Sequence, residues 1–166
     1  MMMLLTEIAP ISEWTELENK VRNKTGLDVS VFDTDGIRIT DNKEWINKLC
    51  PKIKSVDAGQ THICAVAHSN IAAMAAKSGK NIVEECDAGL IKAVVPLFKD
   101  NKFIGAFGGC GKMLDDGEIE VEYICRTIKV EEAEIEELSK SIEIMSEEAA
   151  EEAVEYMADE VVKILK

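Results

Sequence analysis

Five cysteines, at positions 50, 64, 86, 110 and 125, and two histidines, His62 and His68, are the side chains of this 166-residue chain best suited to chemistry. Thiolates are soft ligands for iron and zinc, so cysteines gathered from separate elements can hold a metal ion or an iron–sulfur cluster. No Cys-x-x-Cys pair is present, so spacing alone gives only a weak metal signal. The bland reading is that a buried free cysteine packs as a small hydrophobe. A nucleophilic Cys86 is a third reading, but neither histidine is obviously placed to activate it. Both histidines read first as surface or helix-face residues. His68, one helical turn beyond Cys64, is the one credible substitute ligand.

The stretch IVEECDAGLI, residues 82–91, sets Cys86 among acids and follows it with Ala88-Gly89. Valine would serve packing better at position 86. A glycine at 89 marks a bulge or a place where something approaches the backbone closely. The expectation is that Gly89 turns the chain beside a cavity into which Cys86 offers its sulfur.

The elements that must position these groups follow from periodicity. Ile11, Trp14, Leu17 and Val21 form a helical stripe that ends at Gly26. LDVSVFDTDGIRIT reads as a β-hairpin turning at Asp35-Gly36; its Asp-x-Asp-Gly lacks the later ligands of a calcium loop. A short helix over about 43–54 is interrupted near Cys50-Pro51. The helix 60–78 has a core face of Cys64, Ala67, Ile71, Met74 and Ala75. Strands are expected at about 81–86, 90–98 and 102–110. Pro96 implies an edge or a bulge, and Ile104, Ala106, Gly108 and Cys110 share one face of the last strand. Helices over 118–128, 131–144 and 146–166 follow, the last capped at Ser146 with a stripe through Ala149, Ala153, Met157, Val161 and Ile164/Leu165. This order is α+β, that of a PAS-like domain with about five antiparallel strands, helices over one face and added terminal helices. In that arrangement Cys50, Cys64, Cys86 and Cys110 can all point into one cavity. Cys125 lies outside it.

Length and composition describe one folded globular domain, residues 1–166, with a core of about 11–114 and an acidic helical extension, 115–166. The net charge of −13 arises entirely in that extension, which holds 18 acids and 5 bases against 14 of each before it. Such a tail repels phosphates, so direct nucleic-acid binding is not expected. No apolar run has the length of a membrane helix, and the start lacks a signal-peptide pattern, so a cytoplasmic chain with reduced thiols is expected. No phosphate-binding glycine loop, Ser-His-Asp set or carboxylate pair points to an enzyme.

Three segments then carry a resemblance: WINKLCPKI, THICAVAHSNIAAMAAKSGKNIVEECDAGLIKAVVPLF and KFIGAFGGCGKM. In order and spacing they resemble the PocR-type sensory domain, over about Leu17 to Met113. The resemblance implies a PAS-like fold that holds a small molecule, such as a simple diol, and signals its presence. It also implies that Cys50, Cys64 and Cys86 are the family's recurring cysteines. The chain departs from the pattern at Asp87, where a histidine is usual, and at Cys110, where a glutamine is frequent. The second change adds a fourth thiol to the cavity wall.

The function expected is thus a stand-alone sensor. Its cavity, lined by Cys50, Cys64, Cys86, Gly89 and Cys110, holds an iron–sulfur cluster or other cysteine-bound metal, or else a small organic ligand, and reports to a signalling partner. Because an isolated amphipathic helix is marginal in water, the stripes of the first and last helices are expected to bury against the domain's own sheet or against a second chain, in a homodimer through the terminal helices.

Overall fold

A computed structural model describes residues 3–166 of the chain. A single helical turn, α1 (Leu5–Ile8), precedes α2 (Ile11–Thr25) and strand β1 (Asp28–Phe32). Then come α3 (Leu49–Lys54), a turn α4 (Asp57–Gly59), a π-helical segment Gln60–Ala65 and α5 (Val66–Ser78). Strands β2 (Ile82–Glu85), β3 (Ile91–Lys99), β4 (Lys102–Cys110) and the short β5 (Met113–Leu114) follow. The chain ends with α6 (Val121–Ile128), α7 (Glu132–Ser139), the short β6 (Ile144–Met145) and α8 (Glu147–Leu165).

The main sheet is antiparallel and has four strands in the order β1-β4-β3-β2; β5 and β6 form a separate parallel pair. Among the described residues this sheet has no fifth strand. The return arm of the expected hairpin keeps one bridge to β1, Phe32 to Arg38. Side chains of α2 claim the rest of it. The buried Glu18 carboxylate accepts from Thr40 Oγ1 at 2.6 Å, and Arg22 donates to the Asn42 carbonyl at 2.8 Å. Asp33 Oδ1, which a calcium loop would need, instead accepts the amides of Asp35 and Ile37.

Helices cover both faces of the sheet, not one. Val29, Val31, Ala93, Val95, Leu97 and Phe107 form one core with Trp14, Leu17 and Val21 of α2 and with Ala150, Ala153, Val154, Met157 and Val161 of α8. Ala150 rather than Ala149 begins the buried stripe of α8, and Ser146 caps that helix by accepting from the Ala149 amide at 3.0 Å. The sheet within the chain supplies the surface for most of these two stripes, while Ile11 at the start of α2 stays exposed. On the opposite face, Ile71 and Ala75 of α5 meet Val94 and Ala106. Met74, expected in that core, is 49% exposed and points away.

Two local features explain further departures from periodicity. The β3–β4 register pairs Leu97 with Gly105 but Phe98 with Phe103, skipping Ile104. A residue skipped by the ladder changes sides, and Ile104 joins the α2–α8 core instead of the face of Ala106 and Cys110. Pro96 lies two residues beyond the end of the β2 pairing at Val94, where β3 has no ladder to lose on that side. Pro51 does not interrupt a helix. It stands in the first turn of α3, where its missing N–H costs nothing.

Helices α6 and α7 form a second core with α3 and the π-helical segment, through Ile124, Ile128, Ile135, Leu49, Ile53 and Ile63. The acidic extension therefore backs the helices that carry Cys50 and Cys64. None of the helices among the described residues is long and apolar enough to cross a membrane.

Candidate functional site

A cavity of about 540 Å³ lies between the sheet and the helical layer of α3, the π-helical segment and α5. Cys50, Cys64, Cys86 and Cys110 all line it, and each is a free, half-buried thiol. Cys125 packs against the second core and is not among the lining residues.

Each sulfur is placed by a different local device. Asn47, buried at the entrance to α3, accepts the Cys50 amide on Oδ1 at 2.8 Å, the reach of a capping side chain. Its Nδ2 donates to Cys50 Sγ at 3.3 Å and to the Gly111 carbonyl at 2.8 Å. One carboxamide thus ties Cys50 to the end of β4, where Cys110 stands opposite Asp28 of β1 and Lys92 of β3. Cys110 Sγ donates weakly to the Asp28 carbonyl at 3.8 Å. Cys64 is carried by the π-helical segment, a distortion often found at functional sites. Cys86 follows β2 in a tight turn. Its amide donates to the Leu90 carbonyl at 2.7 Å, and its carbonyl accepts from the Gly89 amide at 2.9 Å.

Gly89 has a different task from the one its position suggests. It does not line the cavity. Its φ is +92°, and a Cβ built there would stand 1.9 Å from the Glu118 carbonyl oxygen. What approaches the backbone at Gly89 is the chain entering α6, whose Glu120 amide donates to the Ala88 carbonyl at 3.0 Å. The glycine holds the Cys86 turn against the acidic extension.

Electrostatics at the thiols are set first by burial. Loss of water pushes the Cys50 thiol up to about 12, and a neighbouring Cys110 adds to this. Burial also raises Cys64, opposed by the positive charge of Lys54, and raises Cys86, opposed by hydrogen bonds from the Leu90 and Ala88 backbone. A nucleophile would be expected to show the reverse, a thiol pulled down toward neutrality.

His68 belongs to the same cavity, not to the helix surface. Its ring lies 4.0 Å from the Phe32 ring, centroid to centroid. Both ring nitrogens are buried without a hydrogen-bond partner. Burial, reinforced by Lys92, Lys54 and Arg38, lowers its pKa to about 4, so the ring is neutral at physiological pH. Asn47 and the lysines at positions 43, 54 and 92 were not singled out in the sequence. Asn47 left a readable trace, an asparagine three residues before Cys50; the lysines left none.

The comparisons with known proteins can now be set beside this geometry. The family described as the sensory domain found in PocR matches residues 7–166, so the chain belongs to the PocR sensory-domain family. The match runs beyond Met113 and through the acidic helices, in keeping with their packing behind the cavity. No curated protein and no solved structure matches the chain.

Proposed function

We propose that this domain senses through an iron–sulfur cluster held by Cys50, Cys64, Cys86 and Cys110, and that the state of the cavity is relayed to a signalling partner. The observation that carries this reading is the convergence of four free thiols, from four separate elements, on one cavity. One of the sulfurs already receives a hydrogen bond, Cys50 from Asn47, as cluster thiolates commonly do. Among the described residues no three Cys, His, Asp or Glu side chains form a group fit for a single metal ion. A body that spans ligands from four elements suits the cavity better than a single zinc ion. A cluster would supply a redox-active, oxygen-sensitive centre. Because the buried thiols hold their protons, loading must release them and weakens as pH falls.

A second reading, a small organic ligand, is favoured by the cavity's volume, which is within the roughly 300–1,000 Å³ range of small-molecule sites. Protein purified without oxygen decides between them. The cluster reading expects broad visible absorption, several irons per chain and matching sulfide, all lost in Cys64→Ala and Cys86→Ala, reduced in Cys110→Ala, and kept in Cys125→Ala. Colourless protein that takes up no iron on anaerobic reconstitution would leave the organic ligand alone.

A further inference from the structure

Beside the thiols the cavity opens into a small recess of about 20 Å³ bounded by Asp28, Ser30, Phe32, Arg38, Lys43, Lys54, Lys92, Gly108 and Cys110. Four cations face one acid there. Lys43 is engaged by the Asp28 carboxylate. Arg38, Lys54 and Lys92 make no ion pair with any acid among the described residues. They are held by apolar and neutral contacts instead. Arg38 and Lys92 each lie 5.7 Å from the centre of the Phe32 ring, Arg38 Nε donates to Ser30 Oγ at 3.0 Å, and Lys54 lies 5.6 Å from the Trp45 ring. The other acids at the mouth, Asp33 and Asp35, make no ion pair with these cations, and Asp33 Oδ1 accepts the Asp35 and Ile37 amides.

Three half-buried cations without a counter-charge are costly unless an anion joins them. The desolvation is felt at Lys54, whose pKa is lowered chiefly by burial and then by Lys43. A few steps away stand the two unpartnered nitrogens of His68. One part of the wall is apolar, with the small Ala72, Ala73 and Ala76 on α5 together with Phe32 and Phe103, leaving room for the body of a compact organic molecule.

We propose that the recess of Arg38, Lys54 and Lys92 binds the carboxylate of a small organic acid, whose body lies along the alanines of α5 and beside the ring of His68. This rests on the reading of the cavity as a sensory site, and it names the ligand class that site takes. Inorganic anions would satisfy the cations but leave the apolar wall bare, and neutral diols would leave the cations unanswered.

The test uses the full chain and matched pairs of acid and primary amide: propionate with propionamide, butyrate with butyramide, benzoate with benzamide, and also propane-1,2-diol. Thermal shift and calorimetry are read alongside iron and sulfide content in the same samples. At least one acid should bind ten-fold or more tightly than its amide, and Lys92→Gln and Arg38→Gln should each remove most of that preference while Cys125→Ala keeps it. The proposal is overturned if no acid binds, if amides or the diol bind as well as the acids, or if both cation variants keep the preference. Acid binding by protein that takes up no iron on anaerobic reconstitution supports the proposal while sinking the cluster. Iron retained without acid binding does the opposite.

Discussion

The two faces of the main sheet are made from the same strands and spend their side chains in opposite ways. Toward α2 and α8 the strands present Val29, Val31, Ala93, Val95, Leu97 and Phe107, all nearly or fully buried. Toward the cavity the alternate positions are Asp28, Ser30 and Phe32 on β1, Lys92 and Val94 on β3, and Ala106, Gly108 and Cys110 on β4. One face fills its space with apolar volume. The other withholds volume and places charges and thiols. Stability should therefore reside in the first face and ligand chemistry in the second, and substitutions on each should separate the two.

The largest separation is expected between Met157→Glu and Cys86→Ala. Met157 is fully buried in the apolar core between α8 and the sheet, so a carboxylate placed there loses its water. The charge should cost about 4 kcal/mol or more and leave the domain largely unfolded. Removing the Cys86 sulfur should cost only about 1–2 kcal/mol. Urea titrations followed by circular dichroism measure both. Equal losses would mean that the cavity face is as much a part of the stability core as the sealed one.

A smaller effect tests the join between the Cys86 turn and the acidic helices. Gly89→Ala meets the Glu118 carbonyl and must adopt a left-handed φ, so it should lose about 3 kcal/mol. Because the glycine does not touch the cavity, ligand or cofactor retention should fall only as far as folding does. Retention lost in a domain of undiminished Tm would instead place Gly89 in the site.

Much of this was legible in the residues. The types and places of β3, β4, α2 and α8 follow from alternation and a 3.6-residue period, and the gathering of four cysteines follows from their places at element ends. What periodicity missed has specific causes. The hairpin's return arm has strand-like alternation, but Glu18 and Arg22 compete for it across a helix that reads as merely amphipathic. Ile104 obeys the period until a skipped residue reverses it. His68 reads as a helix-face residue, because the ring and cations that enclose it come from Phe32, Arg38, Lys54 and Lys92, distant in sequence. The glycine at 89 correctly announced a close approach, but its partner lies 29 residues ahead.

The smallest expected effect sharpens the cavity side of the comparison through pH. His68 has its pKa lowered to about 4 in the fold, against an ordinary 6.5, chiefly by burial and then by Lys92, Lys54 and Arg38. Between these values the unfolded chain takes up a proton that the native ring refuses, so the native state loses ground as pH falls from about 6.5 to about 4 and is unaffected above that window. Allowing for partial exposure of the ring, the loss should be about 1–2 kcal/mol. His68→Phe keeps an aromatic ring against Phe32 and has no proton to gain, while the carboxylates that also titrate in acid are common to both proteins. The difference in unfolding free energy between the two, measured in urea at pH 7.5 and again at pH 4.5, should therefore shift in favour of the variant at the lower pH. A difference that stays constant would show that His68 reaches solvent freely and that the cavity's polar wall is wetter than its unpartnered nitrogens imply.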